Sequence, residues 1–180
     1  VDRVQHARHL RIDDLPRVRF ELAGAEATGE PDASFDLVVM LKSLHHVPAH
    51  LMDQALGEVR RVLRPGGLAY VSEPVFAGSF NEILRMFHDE RRAREAAFDA
   101  LRRAVTSGEL ELVSETFFEA PSGFESWEAF EEQVLQVTHT DHRLDPDLHE
   151  RVREAFLARM TPQGALFEVP SRVDLLRRPD

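Results

Sequence analysis

The sequence has 180 residues (20.5 kDa), a length that fits one domain and excludes two large ones. Its 22 basic and 32 acidic residues give a net charge of −10, which opposes nucleic-acid binding, and no cysteine is available for a disulfide or thiolate site. No apolar run approaches the roughly twenty residues of a membrane span. We therefore predict a cytoplasmic protein with neither a nucleic-acid nor a membrane partner.

The first half of the chain predicts a helix, a strand and then a βαβ unit. A helical stripe over residues 2–10 precedes residues 18–22, which alternate like a half-buried strand. Residues 36–41 lie in a continuous apolar run, typical of a strand covered on both faces. Apolar residues at helical spacing then occupy 49–63, and the next buried strand is 68–72. We predict an α/β fold in which the three strands are parallel members of one sheet.

The second half predicts mainly helices. Residues 79–106 form a helical stripe whose middle carries Arg91 and Arg94, so the helix either breaks there or faces a polar cleft. The remaining elements are a strand over 110–118, helices over 124–138 and 145–160, and a strand over 165–176. We assign residues 1–180 to a single domain.

Three sequence blocks carry a family resemblance: PDASFDLVVMLKSLHHV (31–47), EVRRVLRPGGLAYVSEP (58–74) and FEVPSRVDLLRRP (167–179). Three motifs occur in order: the FDLVV strand, the LHH turn and the LRPGG turn. Taken by itself, LRPGG indicates only the end of a helix. The chain thereby resembles the class I S-adenosylmethionine (SAM) dependent methyltransferases of the small-molecule, natural-product type. The resemblance implies a Rossmann-like sheet with a helical insertion, SAM as cofactor with S-adenosylhomocysteine as product, and methyl transfer to a small-molecule acceptor, at a hydroxyl.

Ligands of open parallel sheets bind outside the carboxyl ends of the strands. The family's cofactor-binding loops correspond here to two segments: Gly24, Ala25 and Glu26 after the first strand, and Met40, Leu41 and Lys42 after the second. Gly24 stands where the family commonly has an acid, so adenine recognition would rest on the backbone or on Glu26. The second segment would lie along the methionine part of the cofactor.

The family's glycine-rich loop and ribose-binding acid have no counterpart, because no GxGxG sequence is present. The resemblance implies that N-terminal strands of the family's sheet are missing before Val1, so that either the native protein is longer or a partner segment fills the gap. We expect this chain alone to bind SAM weakly. The alternative function is a methyltransferase-like domain that has lost SAM binding and acts as a binding or assembly module.

The resemblance also names catalytic candidates. A turn histidine and the acid that ends the next strand act as base and orienting carboxylate in relatives with the LHH turn, which gives His45 or His46 together with Glu73. Histidine suits proton transfer near neutral pH. For His46, capping of the following helix is an equal alternative.

Two further expectations concern the helical half. Residues 139, 141 and 142 (His, Asp, His) offer metal-ligand types, but solvated turn chemistry is favoured and we predict no metal. The segments 79–106 and 121–163 would form a helical lid, with 121–163 over the carboxyl edge of the sheet. The partner would be a small-molecule acceptor, and a homodimer is left open.

Overall fold

A computed structural model describes residues 17–137, 142 and 144–180. Its helices are α1 (Met52–Val62), α2 (Gly78–Leu84), α3 (Arg91–Thr106), α4 (Trp127–Phe130) and α5 (Pro146–Leu157). Its strands are β1 (Phe35–Leu41), β2 (Leu63–Pro74), β3 (Glu111–Glu119), β4 (Ser122–Phe124), β5 (Ala165–Phe167) and β6 (Pro170–Arg177). Within these ranges, no helix is long and apolar enough to cross a membrane.

The main sheet has the strand order β1-β2-β6-β3. β1 and β2 are parallel, whereas β6 is antiparallel to both β2 and β3. The predicted α/β fold is confirmed, and so is the parallel pairing of 36–41 with 68–72. The predicted strand over 18–22 is wrong: these residues alternate in hydropathy but do not form a strand, and Val18 and Leu22 remain half-exposed. Alternation alone forms no strand without a neighbour to pair its backbone groups. The predicted helix over 2–10 lies outside the described residues.

α1 and α3 cover one face of the main sheet. We call the aliphatic core between them the sheet core; its buried members include Met40, Leu44, Met52, Leu56, Val59, Leu63, Ala69, Val71, Ala97, Ala100, Leu101, Ala104, Leu110 and Leu176. α1 buries one stripe at three- and four-residue steps, as predicted. On the opposite face, Leu37, Val39 and Leu41 of β1 are exposed.

The LRPGG segment differs from the predicted helix stop. α1 already ends at Val62, and Leu63 is extended. Leu63 pairs with Phe35, and the next register position joins Leu68 to Leu37, so residues 64–67 form a bulge within β2. Gly66 in this bulge has φ +75°, a left-handed conformation that favours glycine.

The second half folds into a separate layer that we call the cap, made of α2, α4, α5 and the β4–β5 pair. Its core contains Ile83, Phe124, Trp127, Phe130, Val152, Phe156, Ala165 and Phe167. The predicted lid helix 79–106 is divided by the break at residues 85–90: α2 joins the cap, whereas α3 packs on the sheet. The predicted single strand 165–176 is likewise two strands, β5 in the cap and β6 in the main sheet.

Candidate active site

The turn after β1 brings the LHH residues to the carboxyl edge of the sheet. Lys42 has φ +50°, an uncommon left-handed conformation for a residue with a side chain, and its N–H donates to the Ser72 carbonyl at 2.7 Å. The chain therefore stays attached to β2 while it turns away from β1. Residues Leu44–His46 then form one turn of 3-10 helix.

The Glu73 carboxylate organises this turn. Its Oε1 accepts hydrogen bonds from the backbone N–H groups of Ser43 (3.1 Å) and Leu44 (2.7 Å), and its Oε2 is bonded to Nδ1 of His45. Both Glu73 and His45 are buried. A carboxylate bonded to Nδ1 places the proton there and leaves Nε2 with its lone pair. The structure thus brings the predicted His45 and Glu73 together, with Glu73 acting through the imidazole.

Glu90, just before α3, is a site residue that the sequence reasoning missed. Its Oε1 lies 3.8 Å from Nε2 of His45 and 3.1 Å from Nε2 of His88. Its Oε2 accepts a 2.6 Å bond from Arg94. Burial opposes ionisation of Glu90, but the Arg94 hydrogen bond and the nearby charges of Arg94, His45 and His88 outweigh it and lower the pKa of this carboxyl.

Arg94 is buried rather than part of a wet helix face. Besides holding Glu90, its Nη1 donates to the Val75 carbonyl and to Oδ1 of Asn81, both at 3.2 Å. Arg94 therefore ties the start of α3 to the end of β2 and to α2. The sequence signal was the Glu90–Arg94 spacing of four residues, which puts both side chains on one helix face.

A cavity of about 400 Å³ opens beside these groups, between the sheet and the cap. Its polar lining includes Lys42, His45, His46, His88, Glu90, Arg94 and His142, and its apolar lining includes Pro74, Phe80, Leu84, Val134, Val137 and Val169. His46 is exposed, and its ring centroid lies 4.1 Å from that of His45. Residues 134, 137 and 142 belong to the predicted lid segment 121–163 and stand at the carboxyl edge of the sheet. His139 and Asp141 lie outside the described residues.

The two predicted cofactor segments occupy different surroundings. Gly24 and Ala27 form a bridge around a tight turn, and the Glu26 carbonyl accepts a 3.2 Å bond from Gln54 in the first turn of α1. The Glu26 carboxylate lies over Gly24, where a Cβ would come within 2.4 Å of it. Ala25 packs against the sheet core.

In the second segment, Met40 is buried in the sheet core, Leu41 is exposed and Lys42 lines the cavity. The residues thus fit SAM in part. Residues 24–26 could meet an adenine and 40–42 a methionine chain. The part of the chain that the structure describes contains no glycine-rich loop for the carboxylate of the cofactor.

Comparisons with known proteins agree with this architecture. Residues 2–67 match the family model described as "Methyltransferase domain". The 27-O-demethylrifamycin SV methyltransferase of Amycolatopsis mediterranei is 53% identical over 58 residues, which cover 31% of this chain and 19% of the relative. The ubiquinone/menaquinone biosynthesis C-methyltransferase UbiE of Hahella chejuensis is 43% identical over 72 residues, 40% of this chain and 27% of the relative.

The fold is shared with solved structures. The YcgJ protein of Bacillus subtilis superposes with a TM-score of 0.58 at 16% identity, covering 98% of this chain and 76% of that one. The motifs, the family match over residues 2–67 and the shared fold all agree with the resemblance to the class I methyltransferases. The matches to the two curated relatives span about a quarter of their length or less.

Proposed function

We propose that the chain serves SAM-dependent transfer of a methyl group to a hydroxyl of a small-molecule acceptor. The observation that carries the proposal is the buried Glu73–His45 pair, which leaves Nε2 of a cavity-lining histidine as a proton acceptor. The relatives support it by their names, one an enzyme of 27-O-demethylrifamycin SV and the other a C-methyltransferase of quinone biosynthesis. Because one of these relatives is a C-methyltransferase, the relatives do not fix which atom is methylated, and methylation at oxygen is part of our proposal.

When bound, SAM supplies an electrophilic methyl group on a sulfonium. Gly24, Ala25 and Glu26 would hold its adenine side, and Met40, Leu41 and Lys42 its methionine side. Because the first segment is fixed to the first turn of α1 and the second ends β1, both are presented at the carboxyl edge of the sheet. Alignment of the acceptor against this methyl group is the larger part of such catalysis.

Nε2 of His45 would accept the proton of the acceptor hydroxyl while the hydroxyl oxygen attacks the methyl group. The resulting imidazolium would lie between two carboxylates, Glu73 at Nδ1 and Glu90 at 3.8 Å from Nε2. Both carboxylates already stand beside the ring, so they would balance the charge of the imidazolium without movement of the backbone. Of the two candidate histidines, His45 is favoured because its tautomer is set by a buried partner.

The residues that line the cavity indicate which kind of acceptor it would hold. Phe80, Leu84 and Val134 give the cavity of the histidines an apolar surface. An acceptor with an apolar or aromatic body and a hydroxyl at one end would bury the body against this wall and direct the hydroxyl toward His45. A homodimer and a cytoplasmic location stay predictions.

The test is methyl transfer from radiolabelled SAM to a panel of hydroxylated aromatic compounds, beginning with 27-O-demethylrifamycin SV. His45→Gln should lower turnover by about 10²–10⁴-fold, with SAM affinity nearly unchanged. His50→Gln is the matched control, since His50 is exposed on the short helical turn after the LHH residues. Full turnover in both His45→Gln and His46→Ala would show that the reaction needs no histidine base.

The second candidate, a methyltransferase-like binding or assembly module, is favoured by one observation. The described residues include no glycine-rich loop for the cofactor's carboxylate. Calorimetry separates the two proposals: an enzyme must bind SAM and its acceptor, whereas a module would bind a partner or acceptor with no measurable SAM affinity.

A further inference from the structure

We propose that His45, His46 and Glu90 form a binding site for a divalent transition-metal ion of the Zn²⁺ type. A ring nitrogen of each histidine and a carboxylate oxygen of Glu90 lie within 4.8 Å of one another. All three residues line the cavity between the sheet and the cap. Two imidazoles and one carboxylate are a ligand set of known zinc sites, with a fourth position left for water.

The separation of His45 and Glu90 suits a shared ion better than a direct bond. Nε2 of His45 and Oε1 of Glu90 are 3.8 Å apart, too far for a hydrogen bond. Two ligands bound at about 2.1 Å to one tetrahedral ion lie about 3.4 Å apart, so small side-chain shifts would place both on the same ion. Arg94 holds the other oxygen of Glu90, which directs Oε1 toward the histidines.

The surroundings of His45 resemble the outer shell of a metal site. A histidine that binds a metal through one ring nitrogen usually donates a hydrogen bond from the N–H of the other to a carboxylate. This bond fixes the tautomer and directs the free lone pair at the ion. Glu73 has this position on Nδ1 of His45. His88, bonded to Oε1 of Glu90 at 3.1 Å, would orient the carboxylate in the same way.

The chemistry of the ligands selects the ion. Imidazole nitrogens favour Zn²⁺, Co²⁺, Ni²⁺ and Cu²⁺, whereas Mg²⁺ and Ca²⁺ prefer sites made wholly of oxygen ligands. Metal on Nε2 would occupy the lone pair that proton transfer needs. Zn²⁺ should therefore inhibit methyl transfer reversibly, a consequence that rests on the proposed function.

The experiment titrates the chelator-treated chain with Co²⁺ and follows the visible absorption that four-coordinate Co²⁺ acquires on binding. We expect one Co²⁺ per chain, displaced by Zn²⁺ and unaffected by Mg²⁺. His46→Gln removes an exposed ligand and should weaken binding by about tenfold or more, and Glu73→Gln should weaken it by about 10–100-fold. The matched control is His50→Gln, which should bind like the unchanged chain, and circular dichroism verifies that each variant is folded.

Absence of the absorption band, or equal Co²⁺ affinity in the His46→Gln and His50→Gln variants, would overturn the metal site. The readout needs no turnover, so a failure of the proposed methyl transfer leaves this test intact. Conversely, Zn²⁺ bound at this site with undiminished turnover would support the metal site and contradict the base role of His45.

Discussion

The sheet layer and the cap reach a buried core by different means. The sheet core is aliphatic, and its residues recur at the spacings of the strands and helices that carry them. The cap core gathers aromatic rings from short elements, with the Phe130 and Phe156 centroids 4.8 Å apart and Trp127 5.6 Å from Phe156. The first core therefore follows from regular spacing, whereas in the second core large aromatic side chains fill the space between elements that, apart from α5, are short.

The candidate active site lies where the two regions meet. The sheet layer contributes His45, His46 and Glu73 at strand ends, which rigid backbone ladders fix in place. The cap contributes Phe80 and Leu84 of α2, and Val134, which packs against the cap core, also lines the cavity. This division predicts that chemistry depends on the sheet edge and acceptor choice on the cap, and the following experiments test the comparison from the largest expected effect to the smallest.

Removal of a central cap ring should produce the largest loss of stability. Phe156→Ala would leave a cavity among four aromatic rings and lower the free energy of unfolding by about 3–5 kcal/mol. In denaturant titrations, fluorescence of Trp127, the only tryptophan, reports on the cap. Leu166→Ala is the control, because Leu166 is 70% exposed. A Phe156→Ala loss no larger than that of the control would contradict a rigid aromatic core.

A polar change at the sheet edge should cost less. In Glu73→Gln, one amide oxygen can still accept from Ser43 and Leu44, but the NH₂ group then faces the Nδ1 proton of His45. The mismatch of buried donors should lower the free energy of unfolding by about 1–3 kcal/mol in urea titrations. Glu119→Gln, an exposed change at the end of β3, should leave the free energy of unfolding within about 0.5 kcal/mol of its original value. Equal losses in both variants would mean that Glu73 does not hold the turn.

The sequence predicts the sheet layer well for a physical reason. β1, β2 and α1 are long enough for their spacing to show, and the family resemblance carried by the same segments implied that His45 and Glu73 act together. Residues 18–22 show the limit of that reasoning, because a strand also needs a neighbour, and pairing is a property of the whole sheet.

The cap and the role of Glu90 were not predicted, because both depend on where helices and strands are interrupted. Glu90 reaches His45 only because the helical stripe stops at residues 85–90 and restarts at the sheet edge. The separation of β5 from β6 is local in a similar way: the backbone of Glu168 bonds to Ser79 and Phe80 of α2, which draws β5 into the cap. Neither contact leaves a periodic signal.

Lowering the pH should weaken the hydrogen bonds that the Glu58 carboxylate of α1 accepts from Arg61 and Thr28, which we call the polar clamp, and so lower the stability of the sheet layer. Hydrogen bonds from Arg61, with further bonds from Thr28, lower the pKa of Glu58 to about 2, although burial opposes this. A carboxyl whose pKa is depressed on folding adds stability above its unfolded pKa of about 4.5, and this is lost as pH falls toward 2. Glu58→Gln should therefore reduce stability at pH 7 by about 1.5–3 kcal/mol and flatten its fall between pH 4.5 and 2. Thermal melts across this range, with Glu132→Gln as an exposed control, measure it; an unchanged pH slope would contradict the clamp.

The smallest effect belongs to an exposed ion pair on the sheet. Arg177 and Glu111 are cross-strand partners on β6 and β3, with Nε and Nη2 of the arginine 2.9 and 2.7 Å from one carboxylate oxygen. Both side chains are about half-exposed, so solvent screens the pair, and Glu111→Gln should cost only about 0.2–1 kcal/mol. In about 1 M salt the Debye length falls to about 3 Å, and most of that difference should vanish from the urea titrations. Glu109→Gln, an exposed acid outside the strand, controls for the change in net charge. A difference that persists in high salt would mean that Glu111 stabilises the edge by packing, and would make β3 as dependent on side-chain contact as the cap.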